Sequence, residues 1–204
     1  MELRINCGDK QAVSVTLRNG DELYADYFIS NTHPARMVEM LETNLIRKSY
    51  RDRIRSLNNT VSNFTVYIHF KKDSLPYLNS NFYHYDTPDD VWRGRHYSRE
   101  TYPGSFLYMH LCSSVEQQFA NTAVLISYMD FDDVAQWAGT KIGRRGEDYE
   151  NFKREKAEKL LDLLEKQLPG TRQNIEHFYT SSPLTYRDYT GTERGSMYGV
   201  TARL

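Results

Sequence analysis

The sequence predicts an α+β fold: a mixed or antiparallel β-sheet flanked by helices, with a small β-meander at the N-terminus. Three observations lead there. Several short stretches alternate apolar and polar residues with period two, residues 147–168 hold a helical period, and Asn19-Gly20 stands between two strand-like runs where a tight hairpin needs residues that tolerate positive φ.

The elements follow in order. Residues 4–6 and 12–17 read as strands, the second with Val13, Val15 and Leu17 alternating, and a turn at Gly8-Asp9 separates them. After Asn19-Gly20 a third strand is predicted over residues 23–30. The period then becomes helical: Asn31, Thr32 or His33 can cap, Pro34 suits a first turn, and Met37, Met40, Leu41 and Leu45 supply one apolar face. A short helix over 50–57 precedes a strand over 63–70, in which Phe64, Val66, Ile68 and Phe70 point one way and Thr65, Tyr67 and His69 the other. Further strands are predicted at 105–111 and 122–129, with a weaker one at 81–85. Between them residues 87–104, with two prolines and two glycines, read as a long connection of the kind that often covers a site. In the long helix Tyr149, Phe152, Ala157, Leu160, Leu161, Leu164 and Leu168 recur at helical spacing, and Pro169-Gly170 ends it. Residues 175–180 form a last strand, and beyond Ser181 the chain is expected to be glycine-rich and irregular.

Composition narrows the function. The 204 residues are 39% apolar and 26% charged, enough for one substantial domain, and the formal net charge of −1 supplies no field to hold a phosphate backbone, so nucleic acid is not an expected partner. The basic residues Arg47, Lys48, Arg51, Arg53 and Arg55 read as the solvated face of a helix. No stretch approaches the roughly 20 apolar residues of a membrane span, and the first residues lack the apolar core of a signal peptide, which makes a cytoplasmic location the default expectation. Cys7 and Cys112 are distant and outside any CxxC spacing, so both are expected to be reduced and structural. Tyrosine is unusually frequent, at 16 residues. That suits either a partly wet cavity for a flat or extended apolar ligand, or aromatic cross-strand pairs in a sheet.

Self-contained chemistry is absent from the sequence. It holds no GxGxxG, P-loop, GxSxG or HExxH motif. His110 and Cys112 have the spacing of two ligands on one strand face, but a structural metal site needs four donors, and no metal is expected. His33, His69, His84, His96 and His177 stand singly and read as hydrogen-bonded structural residues; Asp89-Asp90 and Asp132-Asp133 fall where caps and turns belong.

The strongest signal lies near the C-terminal end. The run Ser182-Pro183-Leu184-Thr185-Tyr186-Arg187-Asp188-Tyr189-Thr190-Gly191, followed by Gly195-Ser196-Met197-Tyr198-Gly199, resembles the "TPL…YTG…G…YG" signature of the phytoene desaturase, carotenoid isomerase and retinol saturase group of FAD-dependent oxidoreductases, within the amine oxidase-like superfamily. Two further stretches match in order. Residues 13–20 with 24–34, ending Ile29-Ser30-Asn31-Thr32-His33-Pro34, resemble the family's "V-x-x-V-x-L-x-x-G…A-D-x-V-I-S-N-A-x-P", and residues 146–170 resemble its long helix and closing Pro-Gly.

The resemblance implies a middle portion of a larger enzyme, without the N-terminal GxGxxG unit and the final flavin-binding segment. Residues 1–31 would be the remnant of the FAD-binding domain, 32–181 the substrate-binding domain, and 182–204 the return toward the flavin site. The parent would use FAD to desaturate, saturate or isomerise a long apolar polyene or isoprenoid, with the sheet as the floor of the substrate tunnel and the long helix on its other face. This chain alone is expected neither to hold FAD nor to catalyse. Its partners would be the apolar substrate and the missing FAD domain, and the parent could touch a membrane peripherally. Tyr186, Tyr189, Gly191, Gly195 and Tyr198 would lie at the junction of substrate and flavin domains, or else form only a turn-rich connection; no catalytic acid or base is identified. An amine oxidase-like fragment, a non-catalytic carrier of apolar ligands and an interaction domain built on the same scaffold remain alternatives, with charged or polar lining favouring amines and uniformly apolar lining favouring polyenes.

Overall fold

The computed structural model describes residues 4–8, 10–93, 97–111, 113–114 and 116–201, and only the backbone of Trp92 and Arg93. Strands β1 (Arg4–Cys7), β2 (Ala12–Thr16), β3 (Glu22–Tyr24) and β4 (Leu41–Glu42) form one sheet in the order β3-β2-β1-β4. β1 and β2 pair antiparallel, as do β2 and β3, whereas β4 runs parallel to β1, so this sheet is mixed. Strands β5 (Ser62–Phe70), β6 (Phe82–Tyr85), β7 (Ser105–Leu111), β8 (Thr122–Met129) and β9 (Ile175–Ser181) form an antiparallel sheet in the order β6-β7-β8-β5-β9. Helices α1 (Pro34–Met40), α2 (Lys48–Arg55), α3 (Asp90–Arg93), α4 (Glu147–Gln167) and α5 (Pro183–Thr190) complete the α+β fold that the sequence predicts.

The larger sheet is built around β5, whose β-branched and aromatic residues suit a pleated surface paired on both sides. Phe64, Val66, Ile68 and Phe70 are at most 2% exposed and face Ala157, Leu160, Leu161 and Leu164 of α4 in the main core, together with Phe106, Tyr108, Leu125 and Met129. Helix α4 carries Glu147, Asp148 and Glu150 in its first turn and Lys166 in its last, charges that suit the helix dipole. The Glu165 carboxylate then accepts the backbone N–H groups of Gly170 and Arg172, securing the turn at Pro169-Gly170.

Several expectations are corrected. The third strand stops at Tyr24, because β3 is an edge strand paired only with β2 and the residues after it lack a ladder. Helix α1 ends at Met40, and Leu41, expected on its apolar face, instead enters β4, while Leu45 is exposed. His33 is the cap: its Nδ1 accepts the Ala35 N–H at 3.3 Å. Arg51 is not part of a solvated basic face, since its guanidinium donates to the carbonyls of Val38, Leu41 and Thr43 and so satisfies the C-terminal end of α1. The connection over 87–104 holds the short helix α3, and part of it, with His96, lies outside the described residues, as does Cys112.

The largest correction is at residues 183–190, expected to be irregular. They form α5, started by a reciprocal capping box in which Ser182 Oγ accepts the Leu184 N–H, and the Ser182 N–H donates to Thr185 Oγ1. Pro183 fits the first turn, and Gly191 ends the helix with φ +70°.

Candidate functional site

Strand alternation places one row of side chains on each face of the larger sheet. The face toward α4 is packed. On the other face, pairing aligns Tyr83 with Leu107, Leu107 with Ile126, and Ile126 with Thr65; the adjacent row runs Met109, Val124, Tyr67, Tyr179. Along β8 the buried residues Ala123, Leu125, Ser127 and Met129 alternate with half-buried Thr122, Val124, Ile126 and Tyr128. This second face is apolar at its centre, tyrosine-rich at its margins and open enough that Tyr67, Tyr83 and Tyr179 are 38%, 56% and 67% exposed.

The C-terminal signature lies against this face. Tyr186 projects from α5 so that its hydroxyl shares a 2.7 Å hydrogen bond with Thr65 Oγ1 and lies 3.4 Å from the Tyr67 hydroxyl. Burial, followed by its hydrogen bonding with Tyr67, pushes the Tyr186 phenol above its ordinary range, although the hydrogen bond it shares with Thr65 opposes this, so the group is a neutral hydrogen-bonding tip at physiological pH. Tyr198, with Met197, closes the other side: the two residues line a recess of about 80 Å³ with Tyr83, Tyr85, Leu107 and Ile126.

The two glycines serve the backbone. Gly191 terminates α5, and its carbonyl accepts the Arg36 guanidinium at 3.0 Å. Gly195 has φ +63°, and a Cβ there would stand 2.1 Å from the Pro183 carbonyl oxygen, so only glycine fits; its own carbonyl accepts Ser62 Oγ at 2.6 Å. The segment then runs back beside the start of β5, where the Thr60 N–H donates to Gly199, the Met197 N–H to Val61 and the Thr201 N–H to Asn58. Tyr189 is 75% exposed, and Tyr198, although it lines the recess, is 67% exposed. The structure therefore joins Tyr186 and Tyr198 to the open sheet face, uses Gly191 and Gly195 to fold the chain beside it, and leaves Tyr189 in solvent.

Helix α5 is anchored from behind. Asp188 forms a mostly buried ion pair with Arg145, which also donates to the carbonyls of Trp137 and Thr140, and Tyr149 Oη lies 2.7 Å from Ser182 Oγ. Sequence reasoning did not single out Tyr83, Leu107, Met109 and Ile126 as floor residues, although the alternation of β6, β7 and β8 puts them opposite the core face.

The candidate acids and histidines have structural partners. Asp133, expected in a turn, is buried, accepts the Tyr97 hydroxyl and lies 3.7 Å from Arg99 Nε. His110 Nδ1 accepts the Leu78 N–H at 2.8 Å, which leaves Nε2 to donate to Tyr108 Oη at 2.6 Å. His33 Nε2 meets Asn59 Oδ1 at 2.6 Å, and His84 Nε2 meets Asp86 Oδ1 at 3.3 Å.

A dinucleotide pyrophosphate needs a helix N-terminus reached from a strand through a glycine-rich turn. Among the described residues only α5 begins directly after a strand, and there Ser182 rather than a glycine loop makes the turn, with the Leu184 N–H already bonded to its side chain. No helix among the described residues is long and apolar enough to cross a membrane.

Fold and site thus define an α+β protein whose main sheet is packed on one face and open, apolar and tyrosine-rimmed on the other. Its sequence is similar to that of all-trans-retinol 13,14-reductases: 25% identical to the Rattus norvegicus protein over 208 residues, covering 93% of this chain and 34% of the relative. The Homo sapiens protein is 29% identical over 80 residues, covering 39% of this chain and 13% of the relative. The Macaca fascicularis protein is 32% identical over 65 residues, covering 32% and 11%. The chain spans about a third of the length of the rat relative. No family model matches it.

Proposed function

We propose that this chain is the substrate-binding portion of an FAD-dependent oxidoreductase that acts on a long apolar polyene or isoprenoid, by desaturation, saturation or isomerisation. The open face of the larger sheet carries this reading. A flat, extended hydrocarbon is held by apolar area and aromatic margins rather than by ion pairs, and Leu107, Met109, Val124 and Ile126 supply a floor without charge. An amine substrate would call for charged or polar lining, and these four floor residues supply neither. The similarity to retinol reductases supports the same substrate class.

In this reading residues 1–31 belong with an FAD-binding domain, 32–181 bind substrate, and 182–204 lead toward the flavin. The exposure of Leu23, Tyr24, Tyr27 and Ile29 favours a further domain packed against the N-terminal sheet. The flavin would supply electron transfer in the parent. This chain's residues would orient the polyene on the sheet and exclude water from it, with Tyr186 and Tyr198 at the edge facing the flavin.

The test is a titration of the purified chain with all-trans-retinol, followed by quenching of protein fluorescence. Saturable binding is expected, weakened about tenfold or more by Ile126→Asp, which places a charge on the apolar floor. Absence of binding, or equal binding by Ile126→Asp, would sink the proposal. Co-purification with stoichiometric flavin absorbance would show that the chain holds FAD unaided.

A further inference from the structure

His69 and His177 stand singly in the sequence, yet the sheet brings them face to face. They are directly paired across β5 and β9, with their rings stacked 4.7 Å apart at an interplanar angle of 10°. The pairing then slips: His69 opposes His177, but the next residue, Phe70, opposes Ile175, so Glu176 is the extra residue of a β-bulge. In a regular strand Glu176 would point to the opposite face from His177; a bulge re-aims the side chain. Glu176 Oε2 accordingly lies 3.2 Å from His69 Nδ1, and one ligand-type atom from each of the three side chains lies within 4.8 Å of the others.

We propose that His69, Glu176 and His177 form a binding site for a divalent transition-metal ion of the zinc class. Two imidazoles and one carboxylate form a donor set that favours zinc and its neighbours over magnesium or calcium, which prefer oxygen ligands. Metal–ligand bonds of 2.0–2.2 Å put the ligand atoms of a tetrahedral ion about 3.4 Å apart. The His69–Glu176 contact is already at that spacing, and the exposure of Glu176 and His177 leaves room for the remaining closure by side-chain rotation. Three protein ligands leave one position for water. The ion would cross-link edge strand β9 to central strand β5, and the site lies on the open face two rows along from Thr65 and Tyr186, about 13 Å by strand rise. This inference does not depend on the retinoid reading.

The experiment is calorimetric titration of ZnCl2 into chelator-stripped protein, with a parallel thermal melt. Saturable one-to-one binding and a raised melting temperature are expected. His177→Ala and Glu176→Gln should each weaken binding by more than about tenfold, the lower end of what loss of even an outer-shell partner costs. His84→Ala, which removes a histidine already paired with Asp86, should leave affinity unchanged. The replaced residues are partly or largely exposed, and circular dichroism verifies the fold of each variant. Failure to bind zinc at one-to-one stoichiometry, binding that survives His69→Ala/His177→Ala, or loss of binding on His84→Ala overturns the assignment.

Discussion

In the larger sheet β5 and β8 bring Phe64, Val66, Ile68, Leu125 and Met129 to 2% exposure or less, whereas in the smaller one Val13, Leu23 and Tyr24 remain 37%, 55% and 73% exposed. Both sheets are made of residues that alternate as strands should. The difference is what lies across them. Helix α4 lays Leu160, Leu161 and Leu164 over the first. The N-terminal meander has a few buried residues of its own, among them Ile5 and Ser14, whose hydroxyl accepts from Asn6 at 2.8 Å. A sheet is stabilised by the area it buries, and these two differ in that quantity more than in strand propensity.

The comparison can be broken most severely from the core side. Leu160→Ala removes a fully buried side chain between α4 and the sheet and should cost about 2–5 kcal/mol, read as a large fall in the urea midpoint. A loss near that of an exposed leucine would mean that α4 does not hold this sheet.

Next comes the anchor of α5. Ser182→Ala removes the cap and leaves the buried Tyr149 hydroxyl without its serine partner, so about 1–2 kcal/mol should be lost. Ser182→Thr should restore most of it, if the cap is responsible.

A smaller effect separates the sheets by pH. Burial holds the His110 imidazole below its ordinary 6.5. Between that value and the lower folded one, the unfolded chain binds a proton that the folded protein refuses, so stability falls as pH drops through the window. The same proton would abolish the acceptor used by the Leu78 N–H. Urea midpoints should therefore decrease from about pH 7.5 to about pH 5.5, and His110→Gln should flatten the slope. An unchanged slope would place the acid-sensitive group elsewhere.

The smallest change belongs to the smaller sheet. Leu23→Ala should alter stability by no more than about 0.5 kcal/mol in this chain, because the residue is already more than half exposed. If a flavin domain packs there in a longer protein, the same substitution should cost measurably more in that context, which sharpens the contrast between the sheets.

Much of the fold was legible locally. Alternation identified the core face of β5 and located β7 and β8 as strands, and the helical period identified α4, because those signals come from the same burial that stabilises them. Helix α5 was less legible: its glycine-rich surroundings obscured a capping signal, Ser182-Pro183 with Thr185, that was nonetheless present. At the candidate site, the terminal signature singled out Tyr186, Tyr189 and Tyr198 together as junction residues, and nothing in it showed that Tyr186 meets Thr65 on β5 while Tyr189 is left 75% exposed, because that depends on which side of α5 meets the strand.

By itself the sequence determined the class of fold, the packed face of the main sheet and the likeness to retinol reductases, all of which reside in short-range pattern or in aligned residues. Tertiary structure alone decided that α4 covers one sheet face while the other stays open, and that a one-residue bulge turns Glu176 toward His69 and His177. Register and bulges are set by pairing between segments more than a hundred residues apart, and a slip of one residue reverses the face of every side chain beyond it.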